Sequence, residues 1–254
     1  MINFVGAGSG AKDLITVRGW KLLQQADVVI YAGSLVNPEL LEDCKEDCKI
    51  YNSAHMTLEE VIVVMVACFE HNKTCVRLHT GDPSVYGAIR EQMDELDKHH
   101  IPYEVCPGVS SFCGAASALQ MEYTLPDVTQ SVIITRMAGR TPVPASESIE
   151  SFAKHKATMV IFLSSGMLEE LSQRLLIGGY QKDTPAAIVY KATWADEKKI
   201  RCTVSTLAAA AKEHNITKTA LIIVGDSVSQ SNYRRSDLYH PDFTTEFRKG
   251  SGTK

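Results

Sequence analysis

Long apolar runs are missing from this sequence. The longest, Val61 to Phe69, is closed by Glu70 and falls well short of the roughly 18 residues that suggest a membrane span. The opening Met1-Ile2-Asn3-Phe4 has no basic segment ahead of an apolar stretch, so no secretory signal is expected and a cytoplasmic protein is. A positive excess is missing too. There are 26 Lys and Arg against 30 Asp and Glu, for a net charge of −4, which argues against a nucleic-acid binder. The seven cysteines contain no CxxC pair, and an odd count suits a reducing compartment. Cys44 and Cys48 read as half a metal site, but no second Cys or His pair stands at zinc spacing, so no metal is expected. A GxxxxGK[ST] phosphate loop and a GxSxG elbow are both absent, which removes two common routes to phosphoryl and acyl chemistry. With 254 residues, 44% of them hydrophobic and 22% charged, the composition excludes a disordered chain or a coiled coil.

What is present is an alternation of strand and helix. Ile2 to Val5 is a short apolar run ending in Gly6-Ala7-Gly8-Ser9-Gly10. Thr16 to Ala26 reads as a helix with Val17, Trp20, Leu22 and Leu23 on or near one face, and Val28 to Tyr31 as a buried strand. Thr57-Leu58-Glu59-Glu60 is a capping box that opens a helix to about His71. Cys75 to Leu78 is a strand, a helix from about Ser84 carries Val85, Ile89, Met93 and Leu96, and Tyr103 to Cys106 is a strand before a small-residue helix to Gln120. Strands alternating with helices predict an α/β domain with a mainly parallel sheet over residues 1–122. A second α/β domain, 123–254, has strands at Val132 to Thr135, Met159 to Leu163 and Leu221 to Val224. Its helices are Ser148 to His155, Leu168 to Ile177 and Ala208 to His214. Ala186 to Tyr190 and Ile200 to Val204, joined by a charged stretch, suggest an antiparallel pair and so a mixed sheet. The tail from Ser227 is polar, with Arg234, Arg235 and Arg248, and its aromatics Tyr233, Tyr239, Phe243 and Phe247 suggest docking.

Gly6-x-Gly8-x-x-Ala11 meets the loose dinucleotide fingerprint. That fold also wants an acid at the far end of the second strand, to hold a ribose. Asp27 stands at the beginning of its strand and the far end is Tyr31-Ala32-Gly33, so a nicotinamide oxidoreductase is the weaker reading. Other strands end in glycine loops as well, at Gly81-Asp82-Pro83 and Gly108-Val109-Ser110-Ser111. In open α/β sheets ligands sit beyond the carboxyl ends of the strands. No Lys or Arg follows Asp82, which favours a neutral or cationic ligand over a phosphate. Asp82 then either holds a positive centre or ribose diol, or makes a local turn before Pro83.

Val5 to Gly10, Asp13 to Gly19 and Ala26 to Tyr31 together resemble the opening of the tetrapyrrole methylases, the class III S-adenosylmethionine-dependent methyltransferases. Gly81-Asp82-Pro83 resembles their second motif and Pro107-Gly108-Val109-Ser110-Ser111 their third. Arg136-Met137-Ala138-Gly139-Arg140-Thr141-Pro142-Val143-Pro144, Tyr31 to Val36 and Leu238 to Phe243 are similar to those members that methylate carbon 11 of precorrin-4 or cobalt-precorrin-4 in cobalamin synthesis. At one position, Lys12, the family often has Pro. The resemblance implies two α/β domains with the cofactor, S-adenosylmethionine, in the cleft between them, S-adenosylhomocysteine as product, and a homodimer. Carried over by motif, the cofactor contacts are Thr80, Gly81, Asp82, Ser110, Ser111, Leu163, Ala192 and Ala220. The implied partner is a tetrapyrrole, with neither nucleic acid nor membrane.

Methyl transfer to carbon is an in-line attack on a sulfonium, so positioning is the protein's main task. No nucleophile is required, and no catalytic base is assigned: His79, Tyr86 and His55 are all available. A polyacid substrate wants guanidinium forks. Arg136 and Arg140 offer two on a loop stiffened by two prolines. Competing readings keep the fold and cofactor with another tetrapyrrole as substrate, or with an RNA or protein bound at the tail arginines, or make the chain a non-catalytic binding protein.

Overall fold

The computed structural model describes residues 1–231 and 233–251. The chain forms two compact units: residues 1–118 with 191–197, and residues 119–190 with the chain from Lys198 onward. The short segment Lys191–Glu197, in the middle of the second half of the sequence, thus belongs to the first unit.

In the first unit the elements run β1 (Ile2–Gly6), α1 (Val17–Gln25), β2 (Val28–Tyr31), β3 (Lys49–Asn52), α2 (Leu58–Glu70), β4 (Cys75–His79), α3 (Arg90–Lys98), β5 (Tyr103–Cys106) and α4 (Ser111–Leu119). The sheet order is β3-β2-β4-β1-β5 and every pairing is parallel. Alternate strand residues feed two cores. Ile2, Phe4, Val28, Ile30 and Cys75 pack with α2 and with Leu96 of α3, while Val5, Val29, Val76 and Leu78 pack with Leu23 of α1. Each fully buried aliphatic side chain contributes roughly 1.5–3 kcal/mol. Since α1 and α3 lie on opposite faces, the winding direction reverses between the adjacent strands β1 and β4. That is a topological switch point.

Three expectations for this unit need correction. On α1 the buried residues are Gly19 and Leu23. Val17 and Trp20 are exposed, because the helix turns only a narrow stripe to the sheet and the indole Nε1 donates instead to Asp43 (2.9 Å). The helix expected from Ser84 begins at Arg90. Tyr86 and Ala88 have φ of +55° and +49°, left-handed values that interrupt a right-handed helix. Lys49–Asn52 is an unforeseen strand, since an edge strand with exposed Lys49 and Ile50 carries no apolar run. The capping box at Thr57 is present in full, with Glu60 Oε2 accepting from Thr57 N (2.8 Å) and Thr57 Oγ1 from Glu60 N (3.3 Å).

The second unit contains β6 (Val132–Arg136), α5 (Ile149–Ala153), β7 (Thr158–Phe162), α6 (Leu168–Ile177), β8 (Pro185–Tyr190), β9 (Lys198–Thr203), α7 (Leu207–Glu213) and β10 (Ala220–Val224). Its sheet, β6-β7-β10-β8-β9, is mixed: β6 and β7 are parallel, and β10 runs antiparallel to both β7 and β8. The expected pair β8 and β9 is antiparallel, with Ile188 opposite Ile200. Leu168, Leu171 and Leu175 of α6 join Met159, Ile161, Ile188 and Ile222 in one core. The start of the tail docks: Ser227 is buried and its hydroxyl lies 2.7 Å from Thr158 Oγ1. The tail aromatics do not, and Tyr233, Tyr239, Phe243 and Phe247 are all exposed. No helix among the described residues is long and apolar enough to cross a membrane.

Candidate active site

The switch point between β1 and β4 is where the glycine loops meet. A Cβ on Gly6 would stand 2.5 Å from Gly108 Cα and 2.6 Å from Gly81 O, and one on Gly108 would stand 2.1 Å from Gly81 O. Only hydrogen fits at these contacts, so the three strand ends interlock backbone to backbone. Gly8 and Gly81 add a two-way bridge, Gly81 N donating to Gly8 O (2.9 Å) and Gly8 N to Gly81 O (3.3 Å).

Asp82 ties two of these loops together. Its Oδ2 accepts from Gly108 N (2.8 Å), and its Oδ1 accepts from Ser84 N (2.8 Å) and from the Ser84 hydroxyl. Burial pushes this carboxyl up, yet the donated hydrogen bonds from Ser84 and Gly108 outweigh it and hold the pKa below the ordinary value. The turn-making role is therefore the one the structure displays. Beside it, Thr80 Oγ1 is buried and has no hydrogen-bond partner, an unusual state for a buried hydroxyl. Gly81 faces the Ser110-Ser111 junction, where a Cβ would meet Ser111 N at 3.3 Å. Ser110 is buried.

The first glycine loop is stapled to its own unit. Ala7 N donates to His79 O (2.7 Å), Asn37 Nδ2 to Gly10 O (3.0 Å) and Ala11 N to Thr193 Oγ1 (3.0 Å). The loop amides of Ala7, Gly8 and Ala11 are thus spent inside the protein, which counts against the pyrophosphate cradle of the nicotinamide reading. Asp27 is spent as well, on Lys45 and Thr74 at the opposite end of the sheet. Lys12 pairs with Asp43 (2.9 Å). Next to this loop lies an open cavity of about 740 Å³ lined by Ile15, Val17, Trp20, Lys12, Thr193 and Trp194, among others. Both tryptophans of the chain stand on it.

Of the eight residues expected to contact cofactor, Thr80, Gly81, Asp82, Ser110, Ser111 and Ala192 belong to the first unit. Ala192 reaches the glycine loop directly, its carbonyl 2.7 Å from where a Cβ on Gly10 would be. Leu163 and Ala220 belong to the second unit. They lie at the same end of its sheet: Ile222 of β10 faces Ile161 of β7 in antiparallel register, so two residues back on one strand is level with two residues on along the other. Leu163 is exposed and adopts φ +52°. Sequence reasoning missed Asn37 and Thr193, which hold the first loop. Asn37 carried a usable signal, an Asn-Pro-Glu helix start, whereas Thr193 had none.

The candidate bases separate. Burial, and then the positive charge of Arg77, push His79 down to about 3, so its imidazole is neutral and cannot serve as an acid at neutral pH. It is 3% exposed on the face of β4 that packs against Phe4. His55 is exposed, in the turn after β3. Arg136 does not present a free fork: it donates to the carbonyls of Met137 (3.2 Å), Thr141 (3.2 Å) and Pro142 (2.7 Å) and so braces its own loop. Arg140 is exposed, and among the described residues no hydrogen bond or ion pair engages its guanidinium. Arg136 also lines a cavity of about 420 Å³ with Arg174 and Glu150. In the tail, Arg234 pairs with Asp127 and Asp237, and Arg235 and Arg248 donate to tail carbonyls, which leaves little of the basic patch an RNA reading needs. Among the described residues no group of three His, Cys, Asp or Glu is placed to hold a metal.

A parallel sheet with its glycine loops gathered at the switch point is a ligand-binding α/β architecture, and the family model of the tetrapyrrole (corrin/porphyrin) methylases matches residues 1–208. The chain belongs to that family, and so to the methyltransferases. It is 52% identical to the cobalt-precorrin-4 C(11)-methyltransferase of Methanocaldococcus jannaschii over 98% of this chain and 96% of that protein. It is 46% identical to the enzyme of the same name from Priestia megaterium, over 98% of each. Among solved structures, a cobalt-precorrin-4 methyltransferase superposes with a TM-score of 0.88 at 46% identity, covering 89% of this chain and 95% of that one. The uroporphyrin-III C-methyltransferase of Thermus thermophilus, complexed with S-adenosyl homocysteine, shares the fold at 24% identity and a TM-score of 0.76, covering 91% and 99%.

Proposed function

We propose that this protein transfers a methyl group from S-adenosylmethionine to carbon 11 of precorrin-4 or its cobalt complex, giving the corresponding precorrin-5 in cobalamin synthesis. The observation that carries the reading is the identity of 52% along 98% of the chain with the relative from M. jannaschii. A shared substrate is the ordinary consequence of that much similarity without gaps in coverage. The cobalt form is the first substrate to try, because both of the more similar relatives quoted act on it by name.

The residues present fit the cofactor. The orphaned Thr80 hydroxyl offers a nucleoside a buried hydrogen bond, and the glycine surface admits backbone-close approach. Thr80, Gly81, Asp82, Ser110, Ser111 and Ala192, all on the first unit, would hold it. When bound, the sulfonium supplies an electrophilic methyl. The protein's work is to orient: Asp82 keeps the second and third loops in register, and Thr80 offers a buried hydroxyl that no other protein group engages. Arg140, with Arg136 bracing its loop, meets carboxylate arms of the substrate. No side chain acts as nucleophile, and the proton lost from the macrocycle passes to solvent. The chain works in the cytoplasm as a homodimer.

The test is incubation of the purified protein with S-adenosylmethionine and cobalt-precorrin-4, precorrin-4 or uroporphyrinogen III in parallel. A product heavier by one methyl, with the new carbon at C11 by NMR, is expected from the first two. Methylation of uroporphyrinogen III alone would sink the substrate assignment but keep the cofactor.

A further inference from the structure

We propose that Thr193 is a positioning residue for the cofactor site: its hydroxyl grips the first glycine loop and thereby sets where Gly10 and Ala192 stand. The inference rests on the reading above that the Ala192 region serves the cofactor. The Thr193 Oγ1 accepts from Ala11 N (3.0 Å) and shares a hydrogen bond with Ser9 Oγ (3.1 Å). Its own amide donates to Glu197 Oε2 (2.7 Å), and Trp194 N donates to Lys191 O (3.0 Å), which curls Lys191–Glu197 into a compact turn. The neighbouring side chains interlock. A Cβ on Gly10 would be 2.2 Å from Trp194 Cδ1, and one on Gly114 of α4 would be 2.6 Å from Ser9 Cβ and 3.3 Å from Thr193 Cγ2.

The backbone is strained to achieve this. Thr193 has φ +70° and Lys191 φ +45°, and a β-branched residue at positive φ is an outlier that glycine would relieve. Such strain persists where the surroundings over-determine it, and it concentrates at ligand sites. A turn chosen only for stability would carry glycine at this position. The threonine takes this conformation at a cost in backbone energy, and what it adds over glycine is the hydroxyl on Ser9 and Ala11.

The experiment compares Thr193→Ser, Thr193→Val and Thr193→Gly by calorimetric titration with S-adenosylhomocysteine and by thermal unfolding. The serine variant is expected to bind as the parent does. The valine and glycine variants lose affinity by about tenfold, the usual worth of one or two hydrogen bonds. Yet the glycine variant, freed of strain, unfolds no lower than the valine variant. A glycine variant that binds like the parent, or affinities that merely follow unfolding temperature, would overturn the proposal. A second readout needs no ligand. In a Trp20→Phe background Trp194 is the only tryptophan of the chain, and its emission is expected to shift red with valine or glycine at 193 but not with serine. An unmoved emission overturns the grip whatever the titration gives. A parent that fails to bind the nucleoside overturns the proposed function instead.

Discussion

At the amino end of the parallel sheet Asp27 accepts from Thr74 N (2.7 Å), Thr74 Oγ1 (2.9 Å) and Lys45 Nζ (2.7 Å), tying the starts of β2 and β4 to the turn before β3. At the carboxyl end Asp82 ties the loops after β4 and β5 with hydrogen bonds from Ser84 and Gly108. Both are carboxylates clamping two loops, and both are held below the ordinary carboxyl pKa. The difference lies in what surrounds them. Asp27 is met by Thr74 and Lys45 with no orphaned buried side-chain atom beside it among the described residues, whereas beside Asp82 the Thr80 hydroxyl is buried without a partner and three glycines leave no side chain in the way. A clamp alone therefore does not mark a ligand site. Unspent polar groups over bare backbone are what the proposed site adds to it.

The comparison can be broken most sharply at Gly108. Gly108→Ala would force a Cβ to within 2.1 Å of Gly81 O, and we expect about 3 kcal/mol of lost stability by urea unfolding, with nucleoside binding abolished in calorimetry. Parent-like unfolding would show that the strand ends do not interlock. Asp82→Asn comes next. One acceptor is replaced by a donor facing donors, so about 1–2 kcal/mol of stability should go, together with roughly a tenfold loss of S-adenosylhomocysteine affinity. Unchanged affinity would reduce Asp82 to the status of Asp27.

At the amino end Asp27→Asn should cost about 1 kcal/mol, discounted because the Lys45 pair is partly solvated, and should leave affinity untouched. Lys45 and then the Thr74 amide lower the Asp27 pKa from 3.8 to about 2. A depressed carboxyl stabilises the fold above its unfolded pKa and loses that contribution as pH falls through its folded one. The parent should therefore lose stability between about pH 4 and pH 2 in a way the asparagine variant does not, by denaturation at stepped pH. The smallest effect carries the same contrast into the second unit. Arg136 is spent on three carbonyls and Arg140 is not, so Arg140→Ala should raise KM a few-fold without moving Tm, whereas Arg136→Ala should move both. Equal behaviour of the two would remove the distinction between bracing and contacting.

Much of this was legible in the residues. Apart from β3 and the start of α3, the alternation from Ile2 to Gln120 stands where periodicity and cap chemistry placed it, as do the capping box at Thr57 and the antiparallel pair β8 and β9, because each is decided by neighbours a few positions away. The misses share a cause. The edge strand Lys49–Asn52 is held by partners in β2 and not by its own apolarity, and the helix start moved from Ser84 to Arg90 because left-handed residues at Tyr86 and Ala88 obey their surroundings. Arg136 looked like a free fork because sequence shows a charge and not what it is spent on.

The order of residues alone determined two α/β units, a first parallel sheet and a set of glycine loops at strand ends, since backbone preference and apolar periodicity act locally. It could not determine that Gly6, Gly81 and Gly108 touch one another, that Asp82 is consumed and Thr80 is left wanting, or that a seven-residue segment, Lys191–Glu197, joins the first unit to grip its loop. Those facts depend on chain segments up to 184 positions apart meeting at hydrogen-bond distance, as Ser9 and Thr193 do. Only the folded packing, which fixes distances that sequence spacing leaves free, makes that choice.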